Sequence, residues 1–276
     1  KWKIGFIVLV GIILLFYKLL TDESFLIGPS SAGEDIGRLN YMLTQPSVIV
    51  YYYVKLLVFP INLNIDPDIL LVTEWWSWKF ITALTGIAGL IYFSCRVKEK
   101  LLLLYFIFWF LIVLSPSSSI ITLGDLAAEH RTYLASYSFY AAVAFCVYKV
   151  PHLVYSAHPK KSRNIALAVS IFISVIFSVL TIQRNKIWAS EVSLWADTLK
   201  KSPQKVRPVI NLAQAYTKVG TFDLAVEYYE KALILNPNVF ATNYNLGNLY
   251  LERGREEDGL RLLKIAALIR PKTPEV

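Results

Sequence analysis

Cysteine is almost missing from this chain. Its two residues, Cys95 and Cys146, both fall in or beside strongly apolar runs. This excludes a disulfide framework and any Cys-x-x-Cys metal site. Histidine is nearly as scarce, with three residues in all, and no His/Cys zinc pattern can be drawn. P-loops, dinucleotide fingerprints and nucleophile elbows are also absent. Acidic residues are fewer than basic ones, 20 against 28, for a formal charge of +8. The surplus does not point to nucleic acid. The basic residues sit in short loops beside apolar runs, where membrane orientation accounts for them, and no RNA- or DNA-binding signature accompanies them. Finally, no apolar run carries an ionisable residue near its middle, as proton- or ion-coupled transport would require.

The chain does have apolar length. It is 55% hydrophobic and 14% aromatic, with a mean hydropathy of +0.48. Many aromatics lie near the ends of apolar runs, as in the interfacial belts of helical membrane proteins. Charged residues crowd into 183–276. The expected fold is therefore all-α: a polytopic helical membrane domain over 1–182, followed by a soluble helical domain over 183–276. About five runs approach the ~20 residues needed to span a bilayer: 4–20, 78–94, 101–115, 132–150 and 164–182. Lys1, Lys3, Arg96, Lys98, Lys100, Lys149, Lys160, Lys161 and Arg163 fall on one side of these runs. The positive-inside rule makes that side cytoplasmic. The C-terminal domain then lies outside the cytoplasm, in the periplasm of a bacterial inner membrane or in a lumen. The loop "GDLAAEHRTYL" (124–134) lies on the same outer side.

The long outer loop 21–77 contains an apolar stretch, about 47–59, that is too short to span. With Pro46 at its start and Pro60 at its end, it reads as a helix lying in the outer interface. Such a helix is either an anchor or one wall of a lipid-facing cleft. Trp75, Trp76 and Trp78 mark the headgroup level beyond it.

The soluble part repeats itself. Pro203, Pro237 and Pro271 stand 34 residues apart, and so do Leu212 and Leu246, Tyr216 and Tyr250, and Gly220 and Gly254. "NLAQAYTKVGTFDLAVEYYEKALILNP" (211–237) has the tetratricopeptide pattern of small and large residues, and 245–271 repeats it. We divide the region into a partial repeat, 188–203, and full repeats over 206–237 and 240–271, stacked as an α-solenoid. On the first helix of each repeat, Arg207, Gln214, Lys218, Tyr244, Asn248 and Glu252 are placed to face the concave side. That face is either a groove for a protein or peptide or an ordinary solvated surface.

Three stretches in fixed order carry a further resemblance: "RLNYMLTQPSVIVYYYVKLLVFPINLNID" (38–66), "AAEHRTYL" (127–134) and "QRNKIWASEVSLWADTLKKSPQKVRPVINLAQAY" (183–216). Together they resemble the C-terminal half of the transmembrane and tetratricopeptide-containing O-mannosyltransferases and their bacterial homologues, within the GT-C glycosyltransferases. The resemblance implies transfer of a sugar from a polyprenyl-phosphate carrier to an extracytoplasmic acceptor, often a protein hydroxyl. The family pattern of an acid and an arginine followed by Tyr-Leu-Pro is met by Glu129, Arg131, Tyr133 and Leu134, with Ala135 in place of the proline. Lys55 stands where relatives often carry arginine. A guanidinium offers a planar fork to phosphate. Arg131, helped by Lys55 or Arg38, is therefore the candidate for holding the lipid phosphate, with His130 as a further donor and Glu129 as the group that orients Arg131. The alternative is a plain Glu129–Arg131 ion pair at the membrane surface.

The family's catalytic acid belongs to a first external loop that this sequence does not contain, so no catalytic residue is assigned. "EDIGR" (34–38) falls in a later loop and is not promoted to that role. The resemblance admits a divalent metal, but no ligand set can be named and no other cofactor is implied. The expectation is that the chain is a C-terminal piece of a longer enzyme. The competing expectation is a non-enzymatic membrane-anchored scaffold whose repeats bind an envelope partner.

Overall fold

The computed structural model describes residues 36–118, 123 and 125–270. The expected span 4–20 and the acid pair Glu34–Asp35 lie outside the described residues. All regular structure among the described residues is helical. The chain forms two compact units: 36–59 with 69–170, and 60–68 with 171–270.

The first unit opens with a continuous helical rod made of α1 (Arg38–Ser47), a π-helical stretch Val48–Val54, and a last turn α2 (Lys55–Val58). The rod thus starts at Arg38, not after Pro46 as the proline-led reading expected. Pro46 lies inside it. It removes one backbone donor, and the wider π turns follow directly. Tyr51, Tyr52 and Tyr53 sit in those turns. The Tyr51 hydroxyl lies 2.5 Å from Thr82 Oγ1 on α3 (Trp78–Ser94). Tyr53 is fully buried and its hydroxyl accepts from the Ala128 N–H at 3.3 Å. The unit continues with α4 (Lys100–Leu114), a 3-10 turn Glu129–Arg131, and α5 (Thr132–Val154). Val48, Tyr53, Leu114, Ala127 and Ala135 form its apolar centre.

Helix α6 (Pro159–Ile187) is long and apolar enough to cross a membrane. Helices α3 and α4 are apolar but shorter. Helix α5, 23 residues long, is long enough but is not among the helices that are also apolar enough, so the described residues carry one of the expected spans by length and composition together.

The second unit holds α7 (Glu191–Lys201), α8 (Val206–Lys218), α9 (Phe222–Leu235), α10 (Phe240–Glu252) and α11 (Glu256–Ile269). A Ser190–Ser193 capping box starts α7. Helices α8 and α10 end alike. Gly220 and Gly254 take φ of +79° and +77°. The next residues, Thr221 and Arg255, donate back to the Tyr216 and Tyr250 carbonyls at 3.0 and 2.8 Å. This is a Schellman turn, which favours glycine because the left-handed backbone penalises a Cβ. Within the second full repeat, Gly247 and Gly259 let α10 and α11 meet at backbone distance. A Cβ on Gly259 would stand 2.8 Å from the Gly247 carbonyl oxygen.

Residues 60–68 pack on the start of this unit. Asn64 donates to Ser202 Oγ at 2.8 Å, and Ser202 donates to the Asp66 carbonyl at 2.9 Å. Buried Asp66 pairs with Lys205, and Lys201 donates to the Leu63 carbonyl at 2.7 Å.

Candidate functional site

The candidate residues gather in two places among the described residues, one in each unit. In the first unit the centre is the Ser117 carbonyl. The Tyr41 hydroxyl donates to it at 2.6 Å, and Arg131 Nη1 reaches it at 3.5 Å. Arg131 Nη2 donates to the Asp125 carbonyl at 3.1 Å. Gln45 donates to the Leu126 carbonyl at 3.0 Å. Thr44 accepts from the Val72 N–H at 2.9 Å. The face of the rod that bears Tyr41, Thr44, Gln45 and Val48 is thus stitched to the loop leading into α5. Burial pushes the Tyr41 phenol above its ordinary range, and the nearby Arg131 guanidinium opposes that shift.

Of the phosphate candidates, Arg131 is half-buried at the end of the 3-10 turn. Arg38, also half-buried, lies one turn before Tyr41 on the same side of the rod. Glu129 is half-buried and His130 is exposed on the same short turn. Lys55 is different. It is exposed and lies two positions beyond buried Tyr53, which turns it about 200° away at helical spacing. Arg38 thus shares a rod face with Tyr41, whose hydroxyl meets the same Ser117 carbonyl as Arg131, whereas Lys55 lies off that face. Tyr41, Gln45 and Tyr53 were missed at the sequence level. Their signal was the rod's own periodicity: Tyr41, Thr44, Gln45 and Val48 repeat at three- and four-residue steps from Arg38. No group of three His, Cys, Asp or Glu side chains able to hold a metal occurs among the described residues. The described residues by themselves therefore supply no ligand set for the divalent ion the resemblance admits.

In the second unit a cleft of about 320 Å³ opens on the first helices of the repeats. It is lined by Gln214, Lys218, Asn245, Asn248 and Glu252, with Tyr229 at its base. Four of the six groove candidates meet here. Arg207, at the start of α8, and Tyr244, stacked on Phe240 at 5.5 Å, do not line it. Asn245 was missed, although it stands 34 residues after Asn211. Lys218 is tied to Glu191 of α7 at 2.7 Å. Burial raises the Tyr229 phenol, and Thr217 and Asn245 beside it work against the shift.

Comparison with known proteins agrees with both halves. Models of the tetratricopeptide repeat match residues 210–239 and 228–261. A protein O-mannosyl-transferase, TMTC1 of Mus musculus, is 25% identical over 224 residues, covering 76% of this chain and 23% of its own length. TMTC1 of Homo sapiens is 22% identical over 240 residues, 83% of this chain and 26% of its own. Tmtc2 of Drosophila melanogaster is 27% identical over 132 residues, 48% of this chain and 13% of its own. The chain thus spans about a quarter or less of the length of these relatives. It carries tetratricopeptide repeats and is homologous, at low identity, to the TMTC protein O-mannosyl-transferases.

Proposed function

We propose that this chain is a portion of a membrane glycosyltransferase. In this reading it serves transfer of a sugar from a polyprenyl-phosphate carrier to an acceptor outside the cytoplasm, and its repeats hold a protein. One observation carries the reading. The match to the O-mannosyl-transferases runs over 224 and 240 residues, far more than the repeat stretch 183–276 can supply, so it extends well into the first unit. The apolar surface of that unit supports membrane residence. Leu101, Phe93 and Leu153 are each more than 65% exposed, an arrangement water penalises and lipid does not. Five spans, with the repeats and the loop around Arg131 on the outer side, complete the proposed topology.

The chemistry asked of this portion is stabilisation of a leaving phosphate. As the bond from the sugar's anomeric carbon to the phosphate oxygen breaks and the acceptor oxygen bonds to that carbon, negative charge gathers on the carrier phosphate. Arg131 is the group proposed to meet it, with Arg38 on the rod face that bears Tyr41 and His130 beside it. A fixed cation at the edge of a low-dielectric region does this without reorganisation. Glu129 is proposed to orient the arginine. No step is routed through a metal, and the base that takes the acceptor's proton is not assigned to any residue here.

A second reading draws on one observation: the Arg131 donors resolved here go to backbone carbonyls. In that reading Arg131 only fixes the loop, and the chain is an anchored scaffold. The two separate in a transfer assay on the complete protein in lipid nanodiscs, with a labelled polyprenyl-phosphate sugar as donor. Arg131→Ala is expected to lower kcat by about a hundredfold, and Arg131→Lys to recover part of it with an unchanged melting temperature. Equal rates in wild type and Arg131→Ala would sink the phosphate role, and no transfer by wild type would favour the scaffold.

A further inference from the structure

One position of the 34-residue period stays apolar and exposed in both full repeats. Ile234 and Leu268 hold the same place on α9 and α11, and they are 83% and 82% exposed. Each lies in the last turn of its helix. The rows that lead to them are polar: Glu227 and Glu230 on α9, Arg261 and Lys264 on α11, all exposed. Leu260 is exposed too, but its equivalent Val226 packs on the core, so the side of α11 left uncovered among the described residues accounts for it. Nothing of that kind accounts for Ile234, since α10 follows α9 and leaves it bare.

The partial repeat shows which way these helix ends point. Their equivalent on α7 is Lys200, beside Lys201 at the end of that helix. One carboxylate oxygen of Asp197 holds both Lys201, at 2.6 Å, and Arg184 of α6, at 3.2 Å. Arg184 stands just beyond the apolar run 164–182. At the start of α7, Ser193 Oγ donates to the Ile187 carbonyl at 2.8 Å. Helix α7 therefore folds back toward α6, and its last residue returns to where the apolar part of α6 ends. Stacked repeats keep the direction of their helices, so the ends of α9 and α11 face the same side. Segment 60–68, which packs on the end of α7, adds Ile61, 53% exposed.

Aliphatic tips in line with an exposed lysine suit a lipid surface. There an apolar side chain reaches the acyl boundary while an ammonium group stays with the phosphates. We propose that the ends of α9 and α11 rest on the outer lipid headgroup layer, with Ile234 and Leu268 inserted and Lys200 among the phosphates, so that the array lies with one edge on the membrane. The inference rests on the proposed membrane-spanning role of α6. It makes no use of the repeat cleft or of sugar transfer.

The test is depth-dependent fluorescence quenching on the whole chain in lipid nanodiscs. Cys95 and Cys146, both exposed, are replaced by serine, and a dye is attached at Asn238→Cys, Val219→Cys or Phe172→Cys. Asn238 lies in the turn after α9. Val219 is 61% exposed but follows α8 at the opposite edge of the array. Phe172 belongs to the apolar part of α6. Headgroup-labelled nitroxide lipid is expected to quench the dye at 238 about threefold more than the dye at 219. Combining Ile234→Ser with Leu268→Ser, two exposed changes that leave the fold intact, is expected to bring the two dyes level. Nitroxide placed in mid-chain is expected to quench the dye at 172. Absence of that last quenching overturns the membrane role of α6 and this inference with it. Quenching at 172 together with equal quenching at 238 and 219 overturns this inference alone, as does a signal at 238 that the serine pair leaves unchanged. A dye at 238 that becomes shielded from both lipid nitroxide and iodide when two chains share a disc gives the edge to a second copy, and overturns it as well.

Discussion

The two units leave opposite kinds of side chain outside. In the first, the most enclosed positions include Thr44, Gln45, Ser118 and Ser138, while leucines and phenylalanines face outward. In the second, Val209, Ile210, Leu212 and Leu246 are enclosed, and charged residues occupy the outside in ion pairs such as Lys231–Glu227 and Arg253–Asp223. Water drives the second arrangement through the hydrophobic effect. The outward leucines and phenylalanines of the first unit fit the lipid setting proposed above, where inner contacts come from packing and hydrogen bonds. A substitution therefore has to be judged by the unit it falls in.

Three substitutions sharpen that contrast, in falling order of effect on stability, and a fourth, Leu101→Ala, is the control for the first. Leu212→Ala removes a fully buried leucine from the repeat core and is expected to cost about 3 kcal/mol. Leu101→Ala, at a position 78% exposed in the first unit, is expected to leave the melting temperature in micelles unchanged. Equal shifts for the two would break the comparison. Gly259→Ala forces a Cβ to 2.8 Å from the Gly247 carbonyl and is expected to cost about 2 kcal/mol through separation of α10 from α11. Faster amide exchange confined to the second full repeat is the readout. Tyr41→Phe removes the donor from the Ser117 carbonyl and is expected to cost about 1 kcal/mol. Its signature is loosening of the loop before α5 in hydrogen exchange, in a unit where apolar truncation does little.

A further prediction is a matter of pH. Burial and the neighbouring Glu230 carboxylate push the Tyr250 phenol from 10.0 up to about 12, while it donates to Glu230 at 2.5 Å. A raised folded-state value favours the protonated form. Its contribution is therefore complete below about pH 10 and is lost as pH rises through about 12. Tyr250→Phe is expected to remove that alkaline loss and to cost about 1 kcal/mol at neutral pH, followed by thermal melts across the pH series.

The repeats were legible because a 34-residue period constrains many positions together. Gly220 and Gly254, the small residues at 213, 225, 247 and 259, and the large Tyr216 and Tyr250 each state the same geometry. That period placed Gln214, Lys218, Asn248 and Glu252 at the cleft. It did not anticipate that Tyr244 would stack on Phe240, since a neighbour one turn away competes for the same ring. The rod was only partly legible. Proline is common at helix starts, and Pro46 hid a helix that had begun at Arg38. The polar cluster around Ser117 was invisible because its bonds join residues far apart: Tyr41 and Gln45 find their acceptors 76 and 81 positions away. A polar side chain on a helix gives no local sign of the distant carbonyl that will enclose it.

The segment 60–68 has a further consequence. Asn64 and Asp66 meet Ser202 and Lys205 at separations of 138 and 139 residues, so the repeat unit is not one continuous stretch of chain. Cutting the chain before the first repeat would leave Ser202 without its donor from Asn64 and Lys205 without its carboxylate. The first repeat can be completed only after a long loop has closed, a step that is slow because its chain entropy is lost before the contacts are gained. The last part of the second unit to become native is therefore expected to be its beginning.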